Sequence, residues 1–167
     1  GKFLFAIINN TGRETKDILP KVIEDAIRAM PWPKSMRWGR NSFRWVRPLH
    51  HILAVIDGKK LSGHFDLGNK TLEYTNMTKG HRFLAPQSFE VTSFLDYEEK
   101  LKESYVIIDR EKRKSIIIEQ ATTLTTGTET QLQSDPLLLE EVCGLVEWPN
   151  SLIGNIQDEF MTLPAEA

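Results

Sequence analysis

Cationic and aromatic side chains are most closely interleaved between positions 32 and 47. The segment holds Lys34, Arg37, Arg40, Arg44 and Arg47 together with Trp32, Trp38, Phe43 and Trp45. Cations neutralise phosphates and aromatic faces stack on exposed bases, so this mixture is typical of proteins that hold single-stranded or bent RNA. The same residues also fit a structural role, in which the rings join the core and the arginines are solvated or pair with carboxylates. Both interpretations stay open at this point.

A second motif, Lys79-Gly80-His81-Arg82-Phe83, places an imidazole beside a guanidinium in a turn that contains glycine. This pair could recognise a phosphate or take part in general acid–base chemistry. The structural alternative is that Gly80 permits a tight turn, His81 satisfies backbone carbonyls and Phe83 anchors the core.

Other reactive residue types do not converge in the sequence. His50 and His51 are neighbours in a predicted strand, so their side chains should point to opposite faces and cannot share a metal ion. Cys143 is the only cysteine and lies among apolar residues, where a thiol behaves as a small buried hydrophobe. Glycine-rich phosphate loops and nucleophile elbows are absent from the sequence. We therefore predict no catalytic residue, no metal site and no cofactor in this chain.

Composition favours one globular domain over residues 1–167. Apolar residues make up 40% of the 167 positions, enough for a hydrophobic core. The 21 basic side chains nearly cancel the 23 acidic ones, so an RNA contact must come from a local patch. A single cysteine fits a reducing compartment, and the cytoplasm is the expected location. No apolar run approaches the roughly 20 residues of a membrane span, so no membrane partner is expected.

The elements that must position these residues alternate between strands and helices, which predicts an α+β fold with a mixed or antiparallel sheet and packed helices. Apolar runs and helical spacing predict a strand at 3–8, a helix at 18–30 and an ordered loop at 31–39. Beyond them, Asp57-Gly58 predicts a hairpin between strands at 49–56 and 61–67.

The second half of the sequence continues the alternation. Helical spacing predicts helices at 94–103 and 110–124 with a strand at 105–108 between them. The Thr-rich stretch 122–134 is predicted to be an exposed loop. Asp135 as N-cap and Pro136 at the first helical position predict the start of a last helix through Val142.

Four strings in fixed order reveal a resemblance to a known family. They are Met36-Arg37-Trp38-Gly39, Arg47-Pro48, Gly80-His81-Arg82-Phe83 and Leu145-Val146-Glu147-Trp148-Pro149, with Leu163-Pro164-Ala165-Glu166 following. In this order and spacing the chain resembles the N-terminal part of the beta subunit of the two-subunit, bacterial-type glycyl-tRNA synthetase. The resemblance spans nearly the whole sequence.

The resemblance implies a fragment of a longer beta chain within a glycine–tRNA ligase, which joins glycine to its tRNA at the expense of ATP. In that family adenylation belongs to the separate alpha subunit, so ATP and Mg²⁺ would serve the complete enzyme and not this fragment. The implied partners are the alpha subunit and glycine tRNA. The implied fold is similar to the editing-type domain of the phenylalanyl-tRNA synthetase beta chain.

Residue chemistry and motif position together predict the RNA contacts, which are Arg37, Trp38, Arg40, Arg44, Arg47, His81 and Arg82. Two other functions stay open. A structural or interaction domain that contacts the alpha subunit predicts an exposed apolar patch. A relic editing-type hydrolase predicts a concave pocket with convergent polar groups near His81 or Thr78.

Overall fold

The computed structural model describes residues 4, 6, 8, 11–157 and 160. These residues contain four helices and seven short strands, which confirms the α+β class. Contacts divide the chain into unit 1, Gly1–Thr78 with Ser88–Tyr97, and unit 2, Lys79–Gln87 with Glu98–Ala167. The single domain over 1–167 stays a prediction. Residues 3, 5 and 7 of the strand predicted at 3–8, and the string at 163–166, lie outside the described residues.

Helix α1 of unit 1 covers Thr15–Ala29. It begins earlier than predicted, so Pro20 lies inside the helix and not in its first turn. The apolar side chains of Leu19, Ile23 and Ile27 recur at helical spacing and pack against the core of the unit. The expected amphipathic helix is therefore present.

The sheets of unit 1 are short and mixed. Strands Ile52–Leu53 (β1), His64–Asp66 (β4) and Thr71–Thr75 (β5) lie in the order β1-β5-β4, with β1 parallel and β4 antiparallel to β5. Strands Val55–Ile56 (β2) and Lys59–Lys60 (β3) form a hairpin at the predicted turn. The returning strand predicted at 61–67 is wrong in extent, because only His64–Asp66 of that range is a strand and it pairs with β5.

The hairpin turn has φ values of 49° at Asp57 and 74° at Gly58. Two positive values match the tight turn that follows the right-handed twist of paired strands. The strand predicted at 49–56 is wrong in extent, because it breaks at Ala54 into two strands of different sheets. His50 and His51 precede the first of these strands and are exposed, so the opposite-face argument does not apply to them.

The core of unit 1 is built on this sheet by Ala54, Leu61, Phe65, Leu67, Leu72 and Tyr74. Gly63, with φ +154°, lies against Tyr74, where a Cβ would come within 2.9 Å of the ring. The Tyr74 hydroxyl donates to the carbonyl of Pro20 at 3.3 Å and ties α1 to the sheet. Strands Met77–Lys79 (β6) and Ser88–Glu90 (β7) form a further two-stranded sheet.

Helix α2 covers Phe94–Glu103, and unit 2 continues with α3, Arg110–Thr125, and α4, Pro136–Leu145. Asp135 caps α4 as predicted, since its carboxylate accepts from the backbone N–H of Leu138 at 2.9 Å. Residues 126–135 are exposed, as predicted for most of the Thr-rich stretch, although α3 runs into its first positions.

The strand predicted at 105–108 is wrong. Tyr105 adopts φ +59° and ends α2, and the Arg113 guanidinium binds the carbonyls of Ile107 and Ile108. Those carbonyls are therefore bound to a side chain instead of to a neighbouring strand.

Helices α3 and α4 pack together through an ion cluster. Glu140 on α4 pairs with Lys114 and, at 2.5 Å, with Arg110 on α3. The hydrogen bond from Lys114 and the charge of Arg110 lower the pKa of Glu140, while hydrogen bonds to Glu111 and Glu140 raise the pKa of Lys114. Cys143 is fully buried beside them, as predicted. The helices of the described residues all fall short of the length and apolarity that a membrane span needs.

Candidate nucleic-acid interface

The cationic segment of unit 1, residues 32–47, is an ordered, hairpin-like loop. Met36 and Trp45 exchange two backbone hydrogen bonds of 2.8 and 3.1 Å across its base. At its tip, Gly39 has φ +57°, and both the backbone N–H and the side-chain amide of Asn41 donate to the carbonyl of Trp38, at 3.3 and 3.1 Å. The cations between these anchors are thus carried on a defined backbone.

The aromatic rings of the segment join one chain of ring contacts that begins in the core. Phe43 lies edge-on to the fully buried Phe65 at 4.8 Å and stacks on Trp45 at 5.7 Å. Trp38 lies edge-on to Phe43 at 6.2 Å, and Trp32 meets Trp45 at 4.9 Å. The structural interpretation of the rings is therefore confirmed. Trp38 is half-buried, and its contact with RNA stays a prediction.

The cations of the segment are exposed: Lys34, Arg37, Arg40, Arg44 and Arg47. Within the described residues none of them forms an ion pair with a carboxylate. Arg44 bonds to the hydroxyl and carbonyl of Ser35 at 3.2 and 3.0 Å, and Arg47 bonds to a neighbouring carbonyl. Neutral partners leave the positive charges uncompensated, which is what phosphate binding requires.

The neighbouring Arg28 behaves differently, although it also lies in unit 1. Its guanidinium covers the Phe65 ring at 4.8 Å, bonds to the carbonyl of Asp66 at 2.8 Å and pairs with Glu24 at 2.9 Å. Its charge is already compensated within the unit. The exposed cations of residues 34–47 are therefore a distinct group.

In unit 2 the turn at residues 80–83 is built on close backbone contact. A Cβ on Gly80 would lie 2.6 Å from the carbonyl oxygen of Ser104, which also accepts from the His81 N–H at 2.8 Å. Nδ1 of His81 accepts from the N–H groups of Phe83 and Leu84, both at 3.2 Å. A neutral ring therefore carries its proton on Nε2. The structural interpretation is confirmed for Gly80. It is wrong for His81, whose ring accepts from backbone N–H groups instead of donating to carbonyls, and for Phe83, which is 79% exposed.

This turn forms one wall of an open groove of about 420 Å³. The other wall is the segment that leaves α4, and the lining residues are His81, Arg82, Phe83, Gly144, Leu145, Val146, Glu147 and Trp148. The Arg82 guanidinium lies over the Phe83 ring at 5.4 Å. Two strings that are far apart in the sequence thus meet in one site.

Tyr105 lies beside this groove and was missed by the sequence reasoning. The Tyr105 N–H donates to the carbonyl of Lys102, and the Val106 N–H donates to the carbonyl of Leu101. This pair of hydrogen bonds is the usual end of a helix that is followed by glycine. A tyrosine there, at φ +59°, costs roughly 1–3 kcal/mol of backbone strain. Its ring stands perpendicular to Trp148, with centroids 5.4 Å apart. Local sequence carries no signal of this contact beyond an aromatic residue where a glycine would be expected.

The comparisons with known proteins agree on one family. All 167 residues match the family model described as the glycyl-tRNA synthetase beta subunit. The glycine–tRNA ligase beta subunit of Rhodospirillum centenum is 47% identical, over 99% of this chain and 26% of the relative. The beta subunits of a Ruegeria species and of Paracoccus denitrificans are 44% and 42% identical, each over 99% of this chain and 24% of the relative.

This chain belongs to the glycyl-tRNA synthetase beta subunit family. It spans about a quarter of the length of the curated relatives it matches. The resemblance drawn from the four strings is therefore confirmed.

Within this family member, Arg113 holds the backbone that carries Tyr105 and Glu147. The half-buried guanidinium donates to the carbonyls of Ile107 at 2.5 Å, Ile108 at 2.8 Å and Cys143 at 3.3 Å. The last of these bonds lies near the end of α4, where a positive charge also meets the negative end of the helix dipole.

Gln120 of α3 fixes the chain just after Trp148. Its amide nitrogen donates to the carbonyl of Pro149 at 3.3 Å, and its amide oxygen accepts from the N–H of Ser151 at 2.8 Å. Pro149 is buried, and the Ile107 N–H donates to the carbonyl of Glu147 at 3.0 Å. Trp148 is thus held by backbone bonds on both sides.

Two further clefts border helices of the described residues. One, of about 390 Å³, is predominantly apolar and is lined by α3, α4 and the residues before α4, including Ile117, Leu132 and Leu138. The other, of about 720 Å³, lies in unit 1 beside Lys16, Lys59 and Lys60. Among the residues that the structure describes, no group of three or more His, Cys, Asp or Glu could hold a metal ion.

Proposed function

We propose that this chain binds glycine tRNA for a glycine–tRNA ligase, through the cationic face of residues 34–47. The observation that carries the proposal is the set of exposed cations that have no carboxylate partner among the described residues. Arg37 and Arg40 at the loop tip lack any hydrogen bond or ion pair to another described residue. Phosphates can therefore approach them without displacing an internal contact.

The near-neutral charge of the chain directs the contact to this local face. With a formal net charge of −2, the protein as a whole does not attract a polyanion. The backbone hydrogen bonds at the base and tip of the loop set its conformation before binding, which limits the ordering cost to the arginine and lysine side chains. His81 and Arg82 of unit 2 would supply a second contact.

The proposal includes the division of labour that the family resemblance implies. This chain binds tRNA and assists assembly as part of a beta subunit, and a separate alpha subunit adenylates glycine with ATP and Mg²⁺. The complete enzyme acts in the cytoplasm. The 167-residue chain alone therefore has no aminoacylation activity.

The test is a titration of the chain with glycine tRNA at several salt concentrations. The double variant Arg37→Ala, Arg40→Ala removes the two loop-tip cations. Lys16→Ala, Lys21→Ala is the matched control, because it removes the same charge from lysines that pair with Glu14 and Asp25. Circular dichroism establishes that both variants keep the fold.

We expect the wild-type affinity to fall steeply with salt, and the loop-tip variant to bind more weakly. In a plot of the logarithm of the tRNA association constant against the logarithm of the salt concentration, each lost phosphate contact reduces the slope by roughly 0.7–0.9. The control variant should keep most of its affinity. Equal losses in both variants, or tRNA binding that ignores salt, would contradict the proposal.

A second candidate is an interaction domain that contacts the alpha subunit. The apolar cleft at α3 and α4 favours it, since Ile118, Leu132 and Leu138 are 47%, 49% and 55% exposed. The test is co-purification with the alpha subunit, in which Leu138→Asp should abolish the complex and Glu141→Lys, elsewhere on α4, should not. Retention of the complex by Leu138→Asp would remove this candidate.

A third candidate is a relic editing-type hydrolase, with a fold similar to the editing-type domain of the phenylalanyl-tRNA synthetase beta chain. The groove at His81 favours it. Nδ1 of the imidazole accepts two backbone hydrogen bonds, which leaves Nε2 free for an acid–base role. Its test is the deacylation of mischarged glycine tRNA, with His81→Ala as the variant. If the wild-type chain releases no amino acid above the rate without protein, this candidate fails.

A further inference from the structure

The groove of unit 2 leaves aromatic and apolar side chains facing solvent. Phe83 is 79% exposed, Leu145 76% and Trp148 36%. Exposed rings in a groove are a recurring means of binding unpaired bases, because every base offers a face on which a ring can stack. The exposed Phe83 ring and the partly exposed Trp148 are therefore the first observation in favour of a ligand.

Backbone strain beside the groove is the second observation. Tyr105 occupies the left-handed position after α2, where glycine or asparagine would end the helix without strain. Strained residues that persist tend to lie at binding or catalytic sites. The ring of Tyr105 contacts Trp148, so the strained backbone places a side chain that orients the exposed indole.

The fixed backbone around Trp148 is the third observation. The carbonyl of the preceding Glu147 and the carbonyl of the following Pro149 both accept hydrogen bonds, from Ile107 and Gln120. A preorganised ring loses less entropy when a ligand stacks on it than a mobile ring does.

The polar groups of the groove suit a nucleotide. Arg82 supplies a cation that has no carboxylate partner among the described residues, and Nε2 of a neutral His81 is a hydrogen-bond donor. Both can bind a phosphate. Glu147 is the only carboxylate of the described lining, and it can accept from the exocyclic amino group of a base.

We propose that this groove binds one unpaired nucleotide of an RNA, with its base stacked on Trp148 and its phosphate at Arg82 and His81. Tyr105 is a positioning residue that orients the indole. The proposal rests on the proposed tRNA-binding function and adds a stacking site in unit 2 to the phosphate contacts of residues 34–47. Its ligand is an unstacked base in a single-stranded part of the RNA.

The first test compares tRNA binding by Trp148 variants. Trp148→Leu keeps apolar bulk but removes the stacking surface, and we expect the affinity for glycine tRNA to fall roughly 5- to 100-fold. Trp148→Phe should restore most of this loss. The salt slope should stay that of the wild type in both, because stacking neutralises no phosphate.

Tyr105 has its own pair of variants. Tyr105→Phe should bind like the wild type, since the ring remains. Tyr105→Gly relieves the strained backbone, so we expect it to keep its thermal stability while it loses affinity for tRNA. Equal affinity in both variants would show that the tyrosine does not position the indole and would overturn that part of the proposal.

Failure of the stacking site is distinguishable from failure of the proposed function. If Trp148→Leu binds tRNA like the wild type while Arg37→Ala, Arg40→Ala weakens binding and flattens the salt slope, the stacking site is wrong and the function stands. If the wild-type chain binds no tRNA, both are overturned.

A second test needs no folding-sensitive variant. Single-stranded hexa-adenylate should quench tryptophan fluorescence of the wild-type chain, and an abasic hexamer with the same phosphates should not. The conservative Trp148→Phe chain should lose this quenching, which assigns it to Trp148 among the four tryptophans. Equal quenching by both hexamers would overturn the proposal and favour phosphate binding without stacking. Quenching that survives in Trp148→Phe would also overturn it and place the contact at another tryptophan.

Discussion

Two regions of this chain use the same residue types in opposite ways. In residues 32–47 of unit 1 the rings pack on one another and, through Phe43, on Phe65, while the arginines face solvent. In the groove of unit 2 the rings of Phe83 and Trp148 are exposed beside the exposed Arg82, whereas Arg113, outside the groove lining, is turned inward onto backbone carbonyls. A sequence motif of arginines and aromatic residues therefore does not predict which of those residues is exposed and available for binding.

The difference follows from what lies behind each region. Unit 1 has a sheet with the buried residue Phe65, and rings that reach it gain more by leaving water than by remaining exposed. The groove of unit 2 lies where chain segments leave helices, and unpaired carbonyls there need donors. Arg113 supplies them, and the rings of Phe83 and Trp148 remain exposed at the surface.

The largest difference between the two regions is expected when one phenylalanine is removed from each. Phe43→Ala should lower the free energy of unfolding by roughly 3 kcal/mol, because it empties a site between Phe65, Trp38 and Trp45. Phe83→Ala, at the exposed position, should change it by less than about 0.5 kcal/mol. Urea unfolding followed by circular dichroism measures both. Similar losses would mean that the two rings are not used differently.

An inward-facing and an exposed basic side chain of α3 should also differ in their contribution to stability. Arg113→Ala leaves three carbonyls without their donor, and we expect a loss of roughly 2–3 kcal/mol in unfolding free energy. Lys112→Ala, its exposed neighbour on α3, should cost less than about 0.5 kcal/mol. Thermal unfolding of the two variants is the measurement, and a stable Arg113→Ala chain would contradict the inward role of this arginine.

Alanine substitutions of the glycines on the two walls of the groove should change the stability of the chain in opposite directions. Gly80→Ala forces a Cβ against the Ser104 backbone and should destabilise the chain by roughly 1–2 kcal/mol. Gly144→Ala lies in α4 with open space around its Cβ and should stabilise it by about 0.5–1 kcal/mol. Opposite signs in urea unfolding are expected, and a harmless Gly80→Ala would refute the close contact.

The smallest effect concerns pH. The folded-state pKa of Glu140 is lowered first by the hydrogen bond from Lys114, so its contribution to stability is present above the unfolded pKa and is lost as pH falls through the folded pKa. Glu140→Gln should flatten the acid limb of a plot of melting temperature against pH. Glu141→Gln is the control, and an unchanged acid limb in Glu140→Gln would show that this ion cluster does not stabilise the helix pair.

Sequence by itself determined the local elements and the family. The spacing of Leu19, Ile23 and Ile27 predicted α1, Asp57-Gly58 predicted the hairpin, and Asp135 predicted the cap of α4, because each depends on neighbours within one or two turns of chain. Ordered strings identified the family without any knowledge of the fold.

Only the tertiary structure decided which residues are available to a ligand. Whether Phe43 packs against the core depends on Phe65 in a later strand, and the groove requires residues 80–83 and 144–148 to meet. The strand predicted at 105–108 was wrong for the same reason, since the side chain of Arg113 takes the carbonyls that a sheet would have used. Contacts between segments that are distant in the sequence leave no periodic pattern in either segment. They become visible only in the packing of the folded chain.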